Sequence, residues 1–412
     1  MPRRKTGIAD ALALDRGDRF ELTLGEFGGD GEILATVEGV PAAVHGGLPG
    51  ERVTVEVVRK YHDSLACRVV DVLDPSPDRR DPPCRYYGGC TGCQLQHVQY
   101  GRQLQIKRAR VLDALRAYPA LAGTSVLPTL PSPMQLRYRN HARFTVGRLG
   151  EVGFVNRHSR GFNRIDECLL MQDPINDVLA RVQARLKGMT QFSVRASTAT
   201  GDRLVQPRLI DSGCGVDSGG STYWEQIGDR RFRVAGSSFF QVNTAVARQL
   251  IDRVKAALAL DGTQIVIDAY AGVGVFAAML ASSSKRVIGI EDSASAVDDA
   301  RANTADLPNV EFVMGRTEAL LPTMREADAV AMDPPRSGCQ PVAIEALRAL
   351  GPARVAMVSC EPDALARDLD LLCRDQLFAV EWIQPADMFP QTYHIECVAS
   401  VVRSSARANG RA

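Results

Sequence analysis

The sequence predicts an α/β protein in three parts: a small OB-type β-barrel, a mixed α+β middle section, and a C-terminal parallel sheet wrapped by helices. Three observations carry that prediction. The N-terminal stretch alternates apolar and polar residues with period two, as strands with one buried face do. The C-terminal stretch instead shows short continuous apolar runs (QIVIDAY, RVIGIED, AVAMDPP, RVAMVSC) separated by amphipathic helical segments. Strands buried on both faces read that way. Across the chain ten cysteines fall unevenly, with Cys84, Cys90 and Cys93, between these two regions, inside ten residues.

Residues 1–17 read as a tail and 18–75 as the barrel. The barrel's strands come from FELTLGEF, GEILATVEGV, ERVTVEVVRK and SLACRVVDVL, divided by the turns GGDG and GGLPG. Such antiparallel barrels offer a face to oligonucleotides; the plain alternative is a stabilising cap. The joint DPSPDRRDPPC leads into the section 76–225, which contains a helix over GRQLQIKRARVLDALRAY and strands such as HARFTVGR. Between Gly101 and Ile165 twelve basic residues (among them Arg102, Lys107, Arg108, Arg110 and Arg157) face only Asp113 and Glu151. Tyr138, Phe144, Phe154 and Phe162 are interleaved with them. A charge run is often only a solvated face, but arginines mixed with aromatics fit phosphate contact and base stacking.

The 49 Lys and Arg against 48 Asp and Glu give a formal charge of +1, so the whole chain shows no polyanionic bias. With 45% hydrophobic and 24% charged residues, disordered, collagen-like and coiled-coil chains are excluded. No run approaches the roughly 18 apolar residues of a membrane helix. MPRRKTGIAD is followed by no apolar h-region. The expectation is a cytoplasmic protein without a membrane partner; its oligomeric state is not legible.

The third section, 226–412, holds most of the chemistry, at strand ends where an open α/β sheet binds its ligand. After QIVID comes Asp268-Ala-Tyr-Ala-Gly272-Val-Gly274-Val-Phe276-Ala277, which satisfies the dinucleotide pattern G-x-G-x-x-G/A, with Glu291 ending the next strand. A nicotinamide cofactor is therefore one reading. Asp268, just before the glycines, points instead to a cationic amino-acid cofactor, S-adenosylmethionine. The ends Asp333-Pro-Pro-Arg336 and Ser359-Cys360-Glu361-Pro362 point the same way, because a dehydrogenase does not need them. Cys360, where Glu361-Pro362 interrupts the strand, is a candidate nucleophile. Cys67, Cys373 and Cys397 read as small buried hydrophobes. Glu396, expected beside the Cys360 strand, is a candidate general base. One thiolate, one carboxylate and one methyl donor suffice to methylate carbon 5 of a uracil: addition at carbon 6 makes carbon 5 nucleophilic, and a base then removes the carbon-5 proton.

With these residues in place, the chain from about Asp18 onward resembles the RNA 5-methyluridine methyltransferases, specifically their iron–sulfur, TRAM-domain-containing ribosomal-RNA type. The matching segments are FFQVN (239–243), DAYAGVGVF (268–276), DPPR (333–336), SCEP (359–362), FPQTYHIE (389–396) and YRN (138–140). The resemblance implies a class I, Rossmann-like methyltransferase domain behind a TRAM barrel and a central RNA-binding domain. It implies S-adenosylmethionine contacts from Gln241, Tyr270, Glu291 and Asp333, with Cys360 as nucleophile and Glu396 as base. The chain departs from relatives at Val275, Arg316 and Glu361.

Cys84-x5-Cys90-x2-Cys93 is one ligand short of a tetrahedral set, and zinc is the metal that such spacing first suggests. The resemblance supplies Cys168 as fourth ligand and makes a [4Fe-4S] cluster the expected group. The Cys-x3-Cys-x2-Cys spacing of radical enzymes is absent, so a structural role is expected. The expected substrate is RNA, 23S ribosomal RNA first and transfer RNA second. A non-catalytic RNA-binding adaptor and a nicotinamide oxidoreductase are the competing functions.

Overall fold

The computed structural model describes residues 8–156 and 159–404; Arg157, one of the twelve basic residues above, lies outside them. The first sheet contains β1 (Arg19–Thr23), β2 (Ile33–Val37), β3 (Val40–His45), β4 (Arg52–Lys60) and β5 (Leu65–Asp74), in the order β1-β4-β5-β3-β2. Alternation works as expected: Val53, Val55 and Val57 are fully buried with Ile33, Val44 and Cys67, while the intervening residues face out. The sheet is not wholly antiparallel. Strand β4 hairpins onto β5, and β5 then pairs in parallel with β3.

The section that follows contains α1 (Tyr100–Arg116), β6 (His141–Val146), β7 (Val152–Val155), β8 (Phe162–Arg164), α2 (Asp173–Val182), β9 (Gln191–Ala196) and β10 (Arg203–Gln206). Its five strands form an antiparallel sheet, β10-β9-β6-β7-β8. Helix α2 covers it with Ile175, Val178, Leu179 and Val182, spaced to share one helical face. Phe144 and Tyr138 are buried here, so two of the four aromatics expected to stack on bases are core residues; Phe162 is exposed.

Next come the hairpin β11 (Thr222–Ile227) and β12 (Arg230–Ala235), then α3 (Thr244–Leu258), β13 (Ile265–Ala269), α4 (Val275–Leu280), β14 (Arg286–Glu291) and α5 (Ala294–Asn303). The chain continues through β15 (Val310–Met314), α6 (Thr317–Leu320), β16 (Ala329–Met332), α7 (Pro341–Leu350), β17 (Arg354–Ser359), α8 (Pro362–Cys373), β18 (Phe378–Ala386) and β19 (Glu396–Arg403). The hairpin buries Tyr223, Phe232 and Val234 in the same core as α3 and β13, so it packs with the C-terminal unit. Seven strands form the large sheet in the order β15-β14-β13-β16-β17-β19-β18. The first five are parallel; β19 runs antiparallel to both neighbours. Connection direction reverses at β13, and a crevice opens beyond the carboxyl ends of such strands.

Helix α1 corrects the sequence reading. It lies within 76–225 but packs on α8 and β18 of the C-terminal unit. Gln103, Ile106, Lys107, Val111, Ala114 and Leu115 face inward. The chain after it continues the attachment, with Val126 and Leu130 bridging to Ile383 and Ala386. Two residues counted in the basic run are thereby internal. Lys107 is fully buried against Asp387, and Arg110 is nearly buried against Glu361. Among the described residues, no helix is long and apolar enough to cross a membrane.

Candidate active site and cysteine cavity

Cys360 and Glu396 come from different strands, and the ladder between them sets their relation. Strands β17 and β19 pair antiparallel with Ser359 opposite Cys397. Cys360 follows the last residue of β17 in that ladder and Glu396 precedes Cys397, so the two come together at its end, near enough for the Glu396 charge to act on the Cys360 thiol. The local chain holds Cys360 there. Ser359 Oγ accepts from the Glu361 amide at 3.2 Å and donates to the Glu361 carbonyl at 3.1 Å, closing a short turn around the cysteine. Pro362 then opens α8, a position where no amide hydrogen is needed.

The electrostatics are those of a crowded acidic crevice. Burial pushes the Cys360 thiol up to about 11, and the charges of Glu396 and Asp333 add to it, with Arg336 opposing. Glu396 is 4% exposed, and burial plus the nearby Asp333 hold its carboxyl well above the usual range. Burial raises Asp333 to about 7. Near neutral pH the resting site is therefore a thiol beside Glu396, which favours its protonated form, and Asp333, which lies close to its midpoint. Glu361, at one of the departures from relatives, has a definite role. Its carboxylate accepts from Arg110 of α1 at 2.5 Å and from Arg336 of the DPPR turn at 2.9 Å, tying the turn after Cys360 to both.

The glycine turn after β13 is the other half of the crevice. Tyr270 adopts φ +64°, a costly conformation for a non-glycine residue, followed by Gly272 at +54° and Gly274 at +81°. A Cβ on Gly274 would approach Phe312 to 2.9 Å, whereas one on Gly272 would meet nothing within 4 Å. The turn is thus packed below and open above. Glu291 braces it: one carboxylate oxygen accepts from the Gly272 amide at 2.9 Å, the other from the Ser293 amide at 2.8 Å. The Tyr270 hydroxyl donates to Glu318 at 3.1 Å, and Glu318 also faces Arg316 at 3.5 Å, so Arg316 is turned toward a carboxylate. Val275 begins α4 and packs against the core. Gln241 lies in the loop before α3; its carbonyl accepts from Asn140 at 3.0 Å, and its side chain is half-buried.

Asp268 does not do what its sequence position suggested. It is fully buried, raised by burial to about 8, and accepts from the Ala277 amide at 2.8 Å. It joins β13 to the start of α4 rather than facing a ligand. The open face over Gly272, the half-buried amide of Gln241 and the carboxylates of Glu291 and Asp333 remain a polar set that fits a cofactor with a ribose and an amino-acid end.

The four cysteines named from the sequence, Cys84, Cys90, Cys93 and Cys168, line one cavity of about 510 Å³ together with Arg139 and Arg143. All four are free thiols. Burial pushes Cys168 up to about 11; backbone hydrogen bonds at Leu170 and Met171 work against that rise, and the neighbouring thiols Cys90 and Cys84 add to it. Among the described residues, no three His, Cys, Asp or Glu side chains are grouped to hold a metal ion. Of the cysteines read as buried hydrophobes, Cys67 and Cys397 are fully buried and Cys373 partly so.

Sequence reasoning missed the residues that act across the chain: Lys107 and Arg110 on α1, Glu318 beneath Tyr270, and Gln391 before β19. A cation on an amphipathic helix carries no local sign that its partner is a carboxylate some 280 residues away.

Residues 224–404 match the family model described as tRNA (Uracil-5-)-methyltransferase. Over nearly its whole length the chain is similar to proteins named as uncharacterized RNA methyltransferases. One, from Geobacter sulfurreducens, is 33% identical, with 98% of this chain and 94% of that protein covered. Another, from Halalkalibacterium halodurans, is 31% identical, with 94% and 97% covered. Among solved structures, the Pyrococcus abyssi tRNA (uracil-54, C5)-methyltransferase in complex with S-adenosyl-L-homocysteine shares the fold. Its TM-score is 0.75 at 24% identity, over 93% of this chain and 99% of that one. On the relatives matched end to end and the family model over its crevice, the chain belongs to the RNA uracil-5-methyltransferase family, whose members depend on S-adenosylmethionine.

Proposed function

We propose that this enzyme methylates carbon 5 of a uridine in RNA through a covalent adduct on Cys360 that Glu396 resolves. The observation that supports the reading is that the β17–β19 ladder ends beside Cys360 and Glu396, a thiol near a buried carboxyl and Asp333. In this reading Cys360, as thiolate, adds to carbon 6 and the displaced π electrons move to the carbon-4 oxygen as an enolate. S-adenosylmethionine, when bound, supplies the methyl group that carbon 5 takes up. Glu396 then removes the carbon-5 proton, the 5,6 double bond re-forms, and the Cys360 thiolate is expelled. Gln241, Tyr270, Glu291 and Asp333 hold the cofactor, with Glu291 shaping the glycine turn that receives it. A cation entering this crevice favours ionised Asp333 and Glu396, as the base step requires.

Cys84, Cys90, Cys93 and Cys168 hold a [4Fe-4S] cluster that organises the central region and performs no redox step. Ribosomal RNA, 23S, is the first substrate reading. Transfer RNA is the second, favoured by the whole-chain likeness to an enzyme named for uracil 54 of tRNA. Cys360→Ala tests the chemistry: it should lose activity by at least roughly 10⁴-fold and form no adduct with 5-fluorouridine RNA, while S-adenosylmethionine binding persists. Retained activity would sink the reading. Mass mapping of 5-methyluridine in both RNAs from a strain lacking the chain separates the substrates.

A further inference from the structure

The loop between β18 and β19 leads directly to Glu396, and one residue in it is bonded to almost everything around it. Gln391 is fully buried and holds φ +69°. Its amide donates to Gln103 Oε1 at 3.1 Å. Its carbonyl accepts from the amides of Gln94 and Leu95 at 3.1 and 3.0 Å, the two residues that follow Cys93. Its side-chain oxygen accepts from Arg80 at 2.9 Å and from Gln103 of α1 at 3.0 Å. Its side-chain nitrogen donates to the Gln135 carbonyl at 3.5 Å. Two residues further on, the Tyr393 amide donates back to Gln94 Oε1 at 3.2 Å, and its carbonyl accepts from Arg110 at 3.3 Å.

Burying a strained, fully bonded glutamine in a loop is costly unless the contacts over-determine it. These contacts join the cysteine loop, the linker before it and α1, and they converge five residues before the base. Beyond Tyr393, which is held by Gln94 and Arg110, the chain enters its ladder at Glu396, which pairs with Ala386. We infer that Gln391 is a positioning residue: it registers the segment after Cys93 against the start of β19, and so sets Glu396 for proton removal. The inference rests on the proposed role of Glu396.

The test uses the full-length protein and separates two half-reactions. Trapping with 5-fluorouridine RNA reads Cys360 addition and methyl transfer without proton removal, whereas turnover of uridine RNA needs all three. Gln391→Ala should lower kcat on uridine RNA by about tenfold or more and leave the trapping rate within about twofold. Gln391→Glu, which keeps the acceptor for Arg80 and Gln103, should recover most of the turnover. Gln94→Ala, which removes the return bond to Tyr393 together with the Gln94 side-chain bond to the Thr91 carbonyl, should show the same split more weakly and serves if Gln391→Ala does not fold. Equal losses in trapping and turnover, or no loss in either, would overturn the inference. Glu396→Gln run alongside keeps the failures apart. Normal turnover of that variant removes the base assignment itself, whereas a stalled Glu396→Gln with unaffected Gln391→Ala and Gln94→Ala removes only the positioning role.

Discussion

The catalytic crevice and the cysteine cavity are both assembled from distant stretches of chain, but by different means. In the crevice, Cys360 directly follows β17 and Glu396 begins β19, and the ladder of backbone hydrogen bonds between these strands ends at Ser359 and Cys397, beside them. In the cavity, three thiols sit on a loop between Cys84 and Cys93 and the fourth just before α2, with no strand pairing between the two segments. Regular structure brings groups into place using backbone alone. A loop-built site depends on side chains such as Asn176, which holds the Cys168 amide and carbonyl, and on whatever occupies it. The crevice should therefore keep its geometry when emptied, and the cavity should not.

The sharpest way to break that comparison is at the ladder. Glu396→Gln preserves the strand and removes only the proposed base, so addition and methyl transfer should proceed and release should stall. Turnover should fall about 10²–10⁴-fold while a methylated enzyme–RNA adduct accumulates on denaturing gels with ordinary uridine RNA. A variant that neither turns over nor forms adduct would place Glu396 in substrate binding instead.

Next in size is the buried pair behind the crevice. Lys107→Met leaves Asp387 buried without its cation, in a chain where the other Asp387 oxygen already lacks a partner. Such losses cost about 3–5 kcal/mol, read as a lower denaturation midpoint; an unchanged midpoint would mean α1 is not a wall of the catalytic unit.

The cavity should respond more to its contents than to its fold. Purified protein should be brown and carry roughly four irons per chain if the cluster reading holds. Cys168→Ser should lower the iron and weaken RNA binding, with S-adenosylmethionine affinity within about twofold. Stoichiometric zinc without a chromophore would replace that reading.

The smallest effect is graded with pH. Cys360, Glu396 and Asp333 all hold protons above their ordinary ranges, with Arg336 and Glu361 beside them. Because the chemistry needs ionised groups, kcat/KM should rise with pH from 6 to 9, by at most about tenfold per unit where one group governs. A flat profile would mean that these groups are already ionised in the working enzyme.

Much of the crevice was legible because its residues sit where strand patterns end. Cys360 follows RVAMVS, Asp333 follows AVAM, and the glycine turn follows IVIDA. Asp268 was misread for the same reason: ending a strand says nothing about facing a ligand, and its carboxyl turned under the loop to the Ala277 amide. The basic run was overcounted because charge is visible in sequence and pairing is not. Besides Lys107 and Arg110, Arg108 is spent on the Val126 carbonyl, and Arg137 pairs with Glu167. The parallel pairing of β3 with β5 escaped notice because period two marks a strand without naming its neighbour. Gln391 lies inside the FPQTYHIE segment (389–396), but nothing in the sequence set it apart from its neighbours there, since its importance lies in six hydrogen bonds to other segments.

The antiparallel run of β19 also constrains how this chain can change. The segment from Asp387 to Ile395 can gain or lose a residue only if β19 re-enters its ladder unshifted. A slip of one residue would set Cys397, now fully buried opposite Ser359, across from Cys360 in place of the carboxylate. With Cys360 as the proposed nucleophile and Glu396 as the proposed base, such a descendant would still capture its RNA but lack the group that lets it go, so one deletion there would convert a catalyst into a trap for its own substrate.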